Sequence, residues 1–410
     1  MTVPPLLMAA ALALAMPVAI VQNRGLVPLA ALMALGSLAM LRRSGAWRGV
    51  LAPGAVLAAL ALGAWATLSS AWALERGDAL LGGVRLLALT AALALVLAAA
   101  RAMEEREAKA VLASLVAGAV LGALLLLVEL RFGAPLNNAL RGFPEPPRSA
   151  EGTKPAATLL ALLSGPAVFA AFRLAGARLA VPVGLAAALA VFASTSEAAR
   201  LGLLAAIATG GIALAFPALA RRALPALLAI AVLAGPPLLD QVAKGATRAG
   251  LLPLSAVHRT LIWDYAAERA AERPLVGFGM DAARSLPGGR DNPDAARLDR
   301  LGITGAIRGF FDTAPRGMAE LIPLHTHSMP LQIRLELGFI GLALFAAFAF
   351  FSGRAAASLA GRGAFAAGAA AAGAAVVVSL LSYGAWQHWW WVSVALATLP
   401  LAVLSVKDGR

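Results

Sequence analysis

The stretch His325-Thr-His327-Ser-Met-Pro-Leu-Gln-Ile-Arg334-Leu-Glu336-Leu-Gly338-Phe-Ile-Gly341 concentrates groups that can do chemistry. Two of the chain's 4 histidines lie here, two residues apart. Arg334 and Glu336 follow inside a run otherwise apolar enough to cross a membrane. Ionisable groups at that depth are expensive, which makes them functional candidates by default. Read as one helix from residue 325, the spacing puts His327, Leu331 and Arg334 on one face. Glu336 falls on another face, roughly 13 Å deeper. An imidazole exchanges a proton near neutral pH, so His327 is the candidate general base. The plain alternative is a histidine that only makes hydrogen bonds at the interface. His325 is its rival, or its supporting partner.

Arginines are the second element. Ser194-Thr-Ser-Glu197-Ala-Ala-Arg200 is a polar break between two apolar runs. Arg200 can offer a phosphate its planar fork, a geometry lysine cannot match, with Glu197 to orient it; the alternative is a tight turn with an arginine at headgroup level. Arg259, in His258-Arg259-Thr-Leu-Ile-Trp263, is a second candidate phosphate ligand, against a merely solvated helix arginine. Arg148 and Lys154, in a Pro-rich loop, and Arg334 are weaker candidates. Asp291-Asn-Pro-Asp294 suits a turn and a helix cap better than a metal pair. No Gly-rich phosphate loop with a Lys, no HExxH and no Cys/His cluster is present, so neither an ATP site nor a metal or cofactor is expected. Tyr383-Gly-Ala-Trp386-Gln-His388-Trp389-Trp390-Trp391 is explained by an aromatic interface belt; it could also wall a lipid or sugar groove.

These groups must be positioned by membrane helices. The chain has 410 residues, 60% hydrophobic and only 13% charged, with mean hydropathy +0.81. Its Ala- and Leu-rich runs lack the two-residue alternation of barrel strands, so an all-α polytopic membrane protein is expected. Twelve transmembrane helices are placed at 4–21, 26–41, 50–68, 79–100, 111–130, 156–174, 179–196, 199–217, 223–239, 325–351, 364–383 and 386–404. The first is read as a span rather than a removed signal peptide. With no cysteine there is no disulfide and no thiolate chemistry.

Basic residues set the orientation. Arg42, Arg43, Arg48, Arg101, Arg106, Lys109, Arg173, Arg178, Arg221, Arg222, Arg354, Arg362, Lys407 and Arg410 all fall on one side when spans alternate, which puts both termini in the cytoplasm. The net charge of +13 means little until it is located, since cytoplasmic loops collect Lys and Arg for topological reasons alone, and no nucleic-acid partner is expected. Two longer segments then face outward, 131–155 and 240–324. The organisation expected is a bundle over 1–239, a helical outer segment over 240–324, and a closing bundle over 325–410. Helical periodicity covers 258–272, and Asp294 is placed to cap a short helix at 295–301.

Together these stretches resemble the O-antigen ligase family of bacterial membrane glycosyltransferases. The resemblance rests on Ser194–Arg200, on His258–Trp263 followed by Arg273-Pro-Leu-Val-Gly277-Phe-Gly279, on His327–Gly341, and on the Trp-rich last loop. It is specific in the second half and little more than hydropathy over the first 140 residues. It implies a GT-C-like fold in the bacterial inner membrane with a periplasmic active site. The implied reaction is inverting and metal-independent, moving a glycan from undecaprenyl diphosphate to an acceptor sugar hydroxyl, with lipid A-core as acceptor. The family histidine maps onto His327 and its two diphosphate-binding arginines onto Arg200 and Arg259. Two departures stand out: Ser328 occupies a position usually held by Asn, and Glu197-Ala-Ala stretches the motif before Arg200. An O-antigen polymerase with a lipid-linked acceptor fits the same motifs. Ligation to a protein side chain also remains open. A lipid-linked-glycan flippase or other transporter would instead need paired broken helices at midplane.

Overall fold

The computed structural model describes residues 3–51, 53–143 and 147–404, apart from the side chains of Arg48 and Leu404. Lys407, Arg410 and the first residues, on which the expected placement of the termini rests, lie outside them, as does part of the Pro-rich outer loop. Among the described residues every regular element is a helix.

The principal helices are α1 (Val3–Gln22), α2 (Leu26–Ser44), α3 (Gly54–Leu68), α4 (Arg76–Arg101), α5 (Glu105–Arg131), α6 (Lys154–Ala175), α7 (Ala177–Ala193), α8 (Glu197–Ala215), α9 (Pro217–Arg248), α10 (Leu254–Glu272), α11 (Ala295–Arg300), α12 (Gly305–Thr313), α13 (Met329–Ala357), α14 (Arg362–Leu381) and α15 (His388–Leu404). Each of the apolar runs expected from the sequence is largely helical among the described residues, but residues 194–196 of the seventh run, 325–328 of the tenth and 386–387 of the last lie outside helices. Nine segments among the described residues are long and apolar enough to cross a membrane, one of them the run Val3–Ser44 that holds both α1 and α2. Two further apolar helices, Ala177–Ala193 and His388–Val403, are shorter. Helix is what hydrocarbon demands, because only internal hydrogen bonds satisfy the backbone there. The main packed pairs are α1 with α5, α8 with α14, α9 with α13, and α3 with α13.

The connections sort to two ends of this bundle. At one end Met280 N–H donates to Ser69 Oγ (2.9 Å), Thr158 Oγ1 meets the Tyr383 hydroxyl (2.9 Å) and Trp263 Nε1 donates to the Thr326 carbonyl (2.9 Å). At the other, Arg221 donates to the carbonyls of Leu359 (2.8 Å) and Gly361 (3.0 Å). Two of the stretches that the basic-residue pattern assigned to one side, around Arg221 and at 358–361, thus meet.

Between α9 and α13 the chain builds the scaffold that carries Arg259. α9 does not stop at 239; it runs on to Arg248 and offers Asp240 and Lys244 to α10. Lys244 Nζ lies 2.7 Å from Asp240 and 2.9 Å from Asp264, and Arg297 and Arg300 of α11 close on the same Asp264 carboxylate. A buried carboxylate needs such partners, and here they lock α10 to α9. Asp294 caps α11 by accepting from Arg297 N–H at 2.7 Å, as its position before the helix predicts.

α13 is interrupted. Gly338 has φ 66° and ψ −164°, a region essentially reserved for glycine. The carbonyls freed at Leu335, Glu336 and Leu337 accept from Phe278 N–H (3.1 Å), Gly279 N–H (2.8 Å) and Trp65 Nε1 (3.0 Å). The amides of Phe339 and Ile340 donate to the carbonyls of Pro274 (2.8 Å) and Leu275 (3.3 Å). The segment Pro274–Gly279 is therefore the hydrogen-bonding substitute for the missing helical turn. It approaches so closely that a Cβ on Gly338 would lie 2.1 Å from the Leu275 carbonyl oxygen, and one on Gly277 2.4 Å from the Glu336 carbonyl. Two motifs 60 residues apart in sequence are thus two halves of one joint.

Candidate functional site

The tenth span does not begin at residue 325. α13 starts at Met329 with Ser328 as its N-cap. His327 lies outside it, with φ +54°. The expected shared face of His327, Leu331 and Arg334 does not exist, because a left-handed residue cannot continue a right-handed helix. Histidine tolerates this conformation better than most residues, and such strain concentrates at functional sites.

The loop 325–328 is fixed from three directions. Trp263 of α10 holds the Thr326 carbonyl, and Thr326 Oγ1 donates to the Ser328 carbonyl at 2.7 Å. His327 N–H donates to His325 Nδ1 at 3.1 Å, and the two rings meet edge to face at 4.3 Å between centroids. From the α14–α15 connection, the Ser382 carbonyl lies 3.0 Å from His327 Nδ1. A carbonyl only accepts, so His327 Nδ1 carries the proton and Nε2 keeps its lone pair. By the same logic His325 Nδ1 is an acceptor and its proton sits on Nε2.

Both imidazoles are held neutral. Burial lowers His325 to about 4, helped by the charges of Arg284 and Arg259. Burial lowers His327 to about 3, helped by His325, Arg259 and, more weakly, His258; the Ser382 carbonyl works the other way. Arg259 is therefore close enough to act on both histidines. It is half-buried in the second turn of α10; burial lowers its own affinity for a proton, while the neighbouring Glu197 and, after it, Tyr383 act against that.

Glu197 and Arg200 share the first turn of α8, which Ser196 caps by accepting from Ala199 N–H at 3.3 Å. Arg200 Nη2 donates to the Ser194 carbonyl. Its Nε is buried and finds no partner among the described residues. The sequence expectation that Glu197 orients Arg200 gives way to a different arrangement: Ser194 holds Arg200, and Glu197 acts on Arg259. The first turn of α8 and the second turn of α10 thus bring guanidinium groups to the same end of the bundle as the two imidazoles.

The weaker candidates separate. Lys154 opens α6 and is paired with Glu151 at 2.8 Å. Its helix reaches the site one turn later, where Thr158 meets Tyr383. Arg148 is exposed, its main chain held by Asn138 at 2.7 Å. Arg334 lies over the Phe339 ring at 4.9 Å. Glu336 is fully buried, and its role is set out below.

Nothing in the sequence singled out Arg284 or Ser382, which acts through its main chain; Tyr383 heads the Trp-rich stretch already marked there. Tyr383 packs at 4.6 Å from Trp389 and 5.7 Å from Trp390, and burial pushes its hydroxyl up to about 12. Trp389, Trp390 and Trp391 are all buried, so the run is core rather than an aromatic belt. Its spacing could have suggested this, since three consecutive tryptophans spread over more than half of a helix circumference and cannot all face one interface.

Directly beneath the histidine loop opens an apolar cavity of about 340 Å³. Met329, Pro330 and Trp390 line its upper end, Leu86 and Ala372 its walls, and Arg101 its far end.

Residues 182–346, from within α7 to beyond the break in α13, match the family model described as O-antigen ligase. Over that stretch the chain is similar to the O-antigen ligase family. Glu197, Arg200, Arg259, Arg284, His325, His327, Arg334 and Glu336 fall within it, whereas Thr158, Ser382, Tyr383 and most of the cavity wall do not. Curated relatives agree. A protein of Rickettsia conorii named "Putative polysaccharide ligase" is 29% identical over 153 residues, 37% of this chain and 33% of its own length. A Rickettsia prowazekii protein with the same description is 30% identical over the same share of each chain. The matched stretch thus spans about a third of these relatives. No solved structure matches the chain.

Proposed function

We propose that this O-antigen ligase-like chain is an inverting glycosyltransferase of the bacterial inner membrane. It moves a glycan from undecaprenyl diphosphate onto a sugar hydroxyl, with lipid A-core as the acceptor, at the periplasmic face. The observation that carries the reading is the His327 tautomer: Nδ1–H is committed to the Ser382 carbonyl, which leaves Nε2 as an acceptor beside Arg259.

The acceptor hydroxyl gives its proton to His327 Nε2 as its oxygen attacks the anomeric carbon. The bond from that carbon to the phosphate oxygen breaks, and the electron pair leaves with the diphosphate. Attack opposite the leaving group inverts the anomeric centre. Arg259 and the free Nε–H of Arg200 stabilise the departing charge, guanidinium donors doing what a metal would do elsewhere. The prenyl tail lies in the apolar cavity below Met329. A base as weak as His327 in the empty pocket is poorly matched to its task. The dianionic donor offsets Arg259 and Arg284, which raises the imidazole towards the working pH only when substrate is in place.

The test is reconstitution in proteoliposomes with a lipid-linked glycan and purified lipid A-core, followed by mass analysis. A product joined to lipid A-core with inverted configuration is expected. Glycan extended on the carrier lipid instead would identify a polymerase, and movement of the donor across the bilayer without transfer would identify a flippase.

A further inference from the structure

Glu336 is fully buried at the end of the first half of α13, where the helix breaks. Both of its carboxylate oxygens accept only from donors. Oε2 takes Asp281 N–H (2.6 Å) and Trp386 Nε1. Oε1 takes Ala283 N–H (3.2 Å) and Gln332 Nε2 (3.0 Å). These donors belong to three separate pieces of chain. Residues 281–283 begin the turn that carries Arg284, whose charge acts on His325. Trp386 belongs to the α14–α15 connection that carries Ser382. Gln332 extends the reach: its Oε1 accepts from Ala385 N–H at 2.8 Å. The same connection is pressed against the histidine loop at Gly384, where a Cβ would lie 3.0 Å from both Gln332 Oε1 and His325 Cβ.

We infer that Glu336 is a positioning residue for the reaction proposed above, on which this inference rests: it fixes the α14–α15 connection so that the Ser382 carbonyl holds His327 in its reactive tautomer, and it seats the Arg284 turn beside His325. It touches neither substrate nor histidine. Its effect passes through Trp386 and Gln332 to Ser382 on one side and through the 281–283 amides to Arg284 on the other. A carboxylate suits the place because four donors converge on two oxygens; an amide would turn an N–H toward N–H groups.

The groups that face His327 are His325, Arg259 and His258, with Arg284 facing His325. Loosening the connection admits water to His327, so its proton affinity rises. Because transfer needs the neutral ring, the acidic limb of the kcat profile then moves to higher pH.

The experiment compares E336Q and W386F with the parent in proteoliposomes carrying lipid-linked glycan and acceptor. It reads kcat per folded molecule, donor KM and the pH profile of kcat. W386F keeps the carboxylate and three of its donors, and decides the matter if E336Q does not fold. A fall in kcat of about 10- to 100-fold, the scale of an ångström's misplacement of a catalytic group, with donor KM unchanged and the acidic limb displaced upward, is expected. An unchanged kcat and limb at equal folded fraction would reduce Glu336 to a structural tie and overturn the inference. Full turnover by H327A would instead sink the reading beneath it, so the two failures are told apart.

Discussion

His327 Nδ1 sits 3.0 Å from the main-chain carbonyl of Ser382, 55 residues further along the chain. That one bond selects the tautomer, leaves Nε2 its lone pair, and makes His327 a base rather than a donor at that atom. Replacing His327 with Ala should lower kcat by about 10²–10⁴-fold, the usual contribution of a general base, while the protein still inserts and retains donor. Turnover in proteoliposomes and co-purification of the lipid-linked donor check both halves.

The pH dependence separates free from occupied enzyme. Burial and cationic neighbours lower His327 to about 3 and His325 to about 4 in the empty site. The acidic limb of kcat/KM, which reports the free enzyme, should therefore lie well below the ordinary imidazole value of about 6.5. The limb of kcat, which reports the complex, should lie higher, because the bound diphosphate favours the imidazolium. Coincident limbs would show that the donor does not sit beside His327.

The same shifts bear on stability. A histidine whose folded value is lowered binds fewer protons in the folded state than in the unfolded one between the two values. Stability is thus complete above about pH 6.5 and declines as pH falls towards 4 and then 3. Thermal unfolding of the detergent-solubilised protein between pH 7 and 4 should show this decline, and the H325A/H327A double variant should show less of it.

Arg259→Ala should weaken donor engagement about 10- to 100-fold, the loss of a hydrogen bond to a charged group. It should also move the acidic limb of kcat/KM upward, since a cation that disfavours imidazolium is gone. Arg200→Ala should weaken the donor without moving that limb. Arg259→Lys should not restore affinity, because a point charge replaces a planar fork. Competition by a soluble polyprenyl diphosphate measures all three.

Gly338→Ala adds a Cβ 2.1 Å from the Leu275 carbonyl oxygen, in a backbone region that non-glycine residues avoid. It should cost about 3 kcal/mol or more and separate the Pro274–Gly279 segment from α13. A lower unfolding temperature together with new protease cleavage near residue 275 is expected. Ala372→Phe, in the cavity wall, should instead leave folding near normal and raise KM for long-chain donors but not for a short-chain one.

The sequence by itself determined the helices. Long apolar runs in lipid have no alternative to internal hydrogen bonding, so the runs read from hydropathy fold largely as helices, with nine segments among the described residues long and apolar enough to cross a membrane, and the cap at Asp294 followed from local chemistry. It also marked His327, Arg200 and Arg259, because their residue types and neighbouring motifs are local features. What only the tertiary structure decided is everything that depends on main-chain groups far apart in the chain. Ser382 acts through a carbonyl, which any residue would supply. Pro274–Gly279 fills the gap at Gly338 through amides and carbonyls, and no side-chain pattern announces that pairing. The straight helix expected from residue 325 failed for the same reason: periodicity assumes that each backbone group bonds within its own helix, whereas Trp263 and Ser382 hold the loop ahead of Met329 and Pro274–Gly279 supplies the partners missing at Gly338.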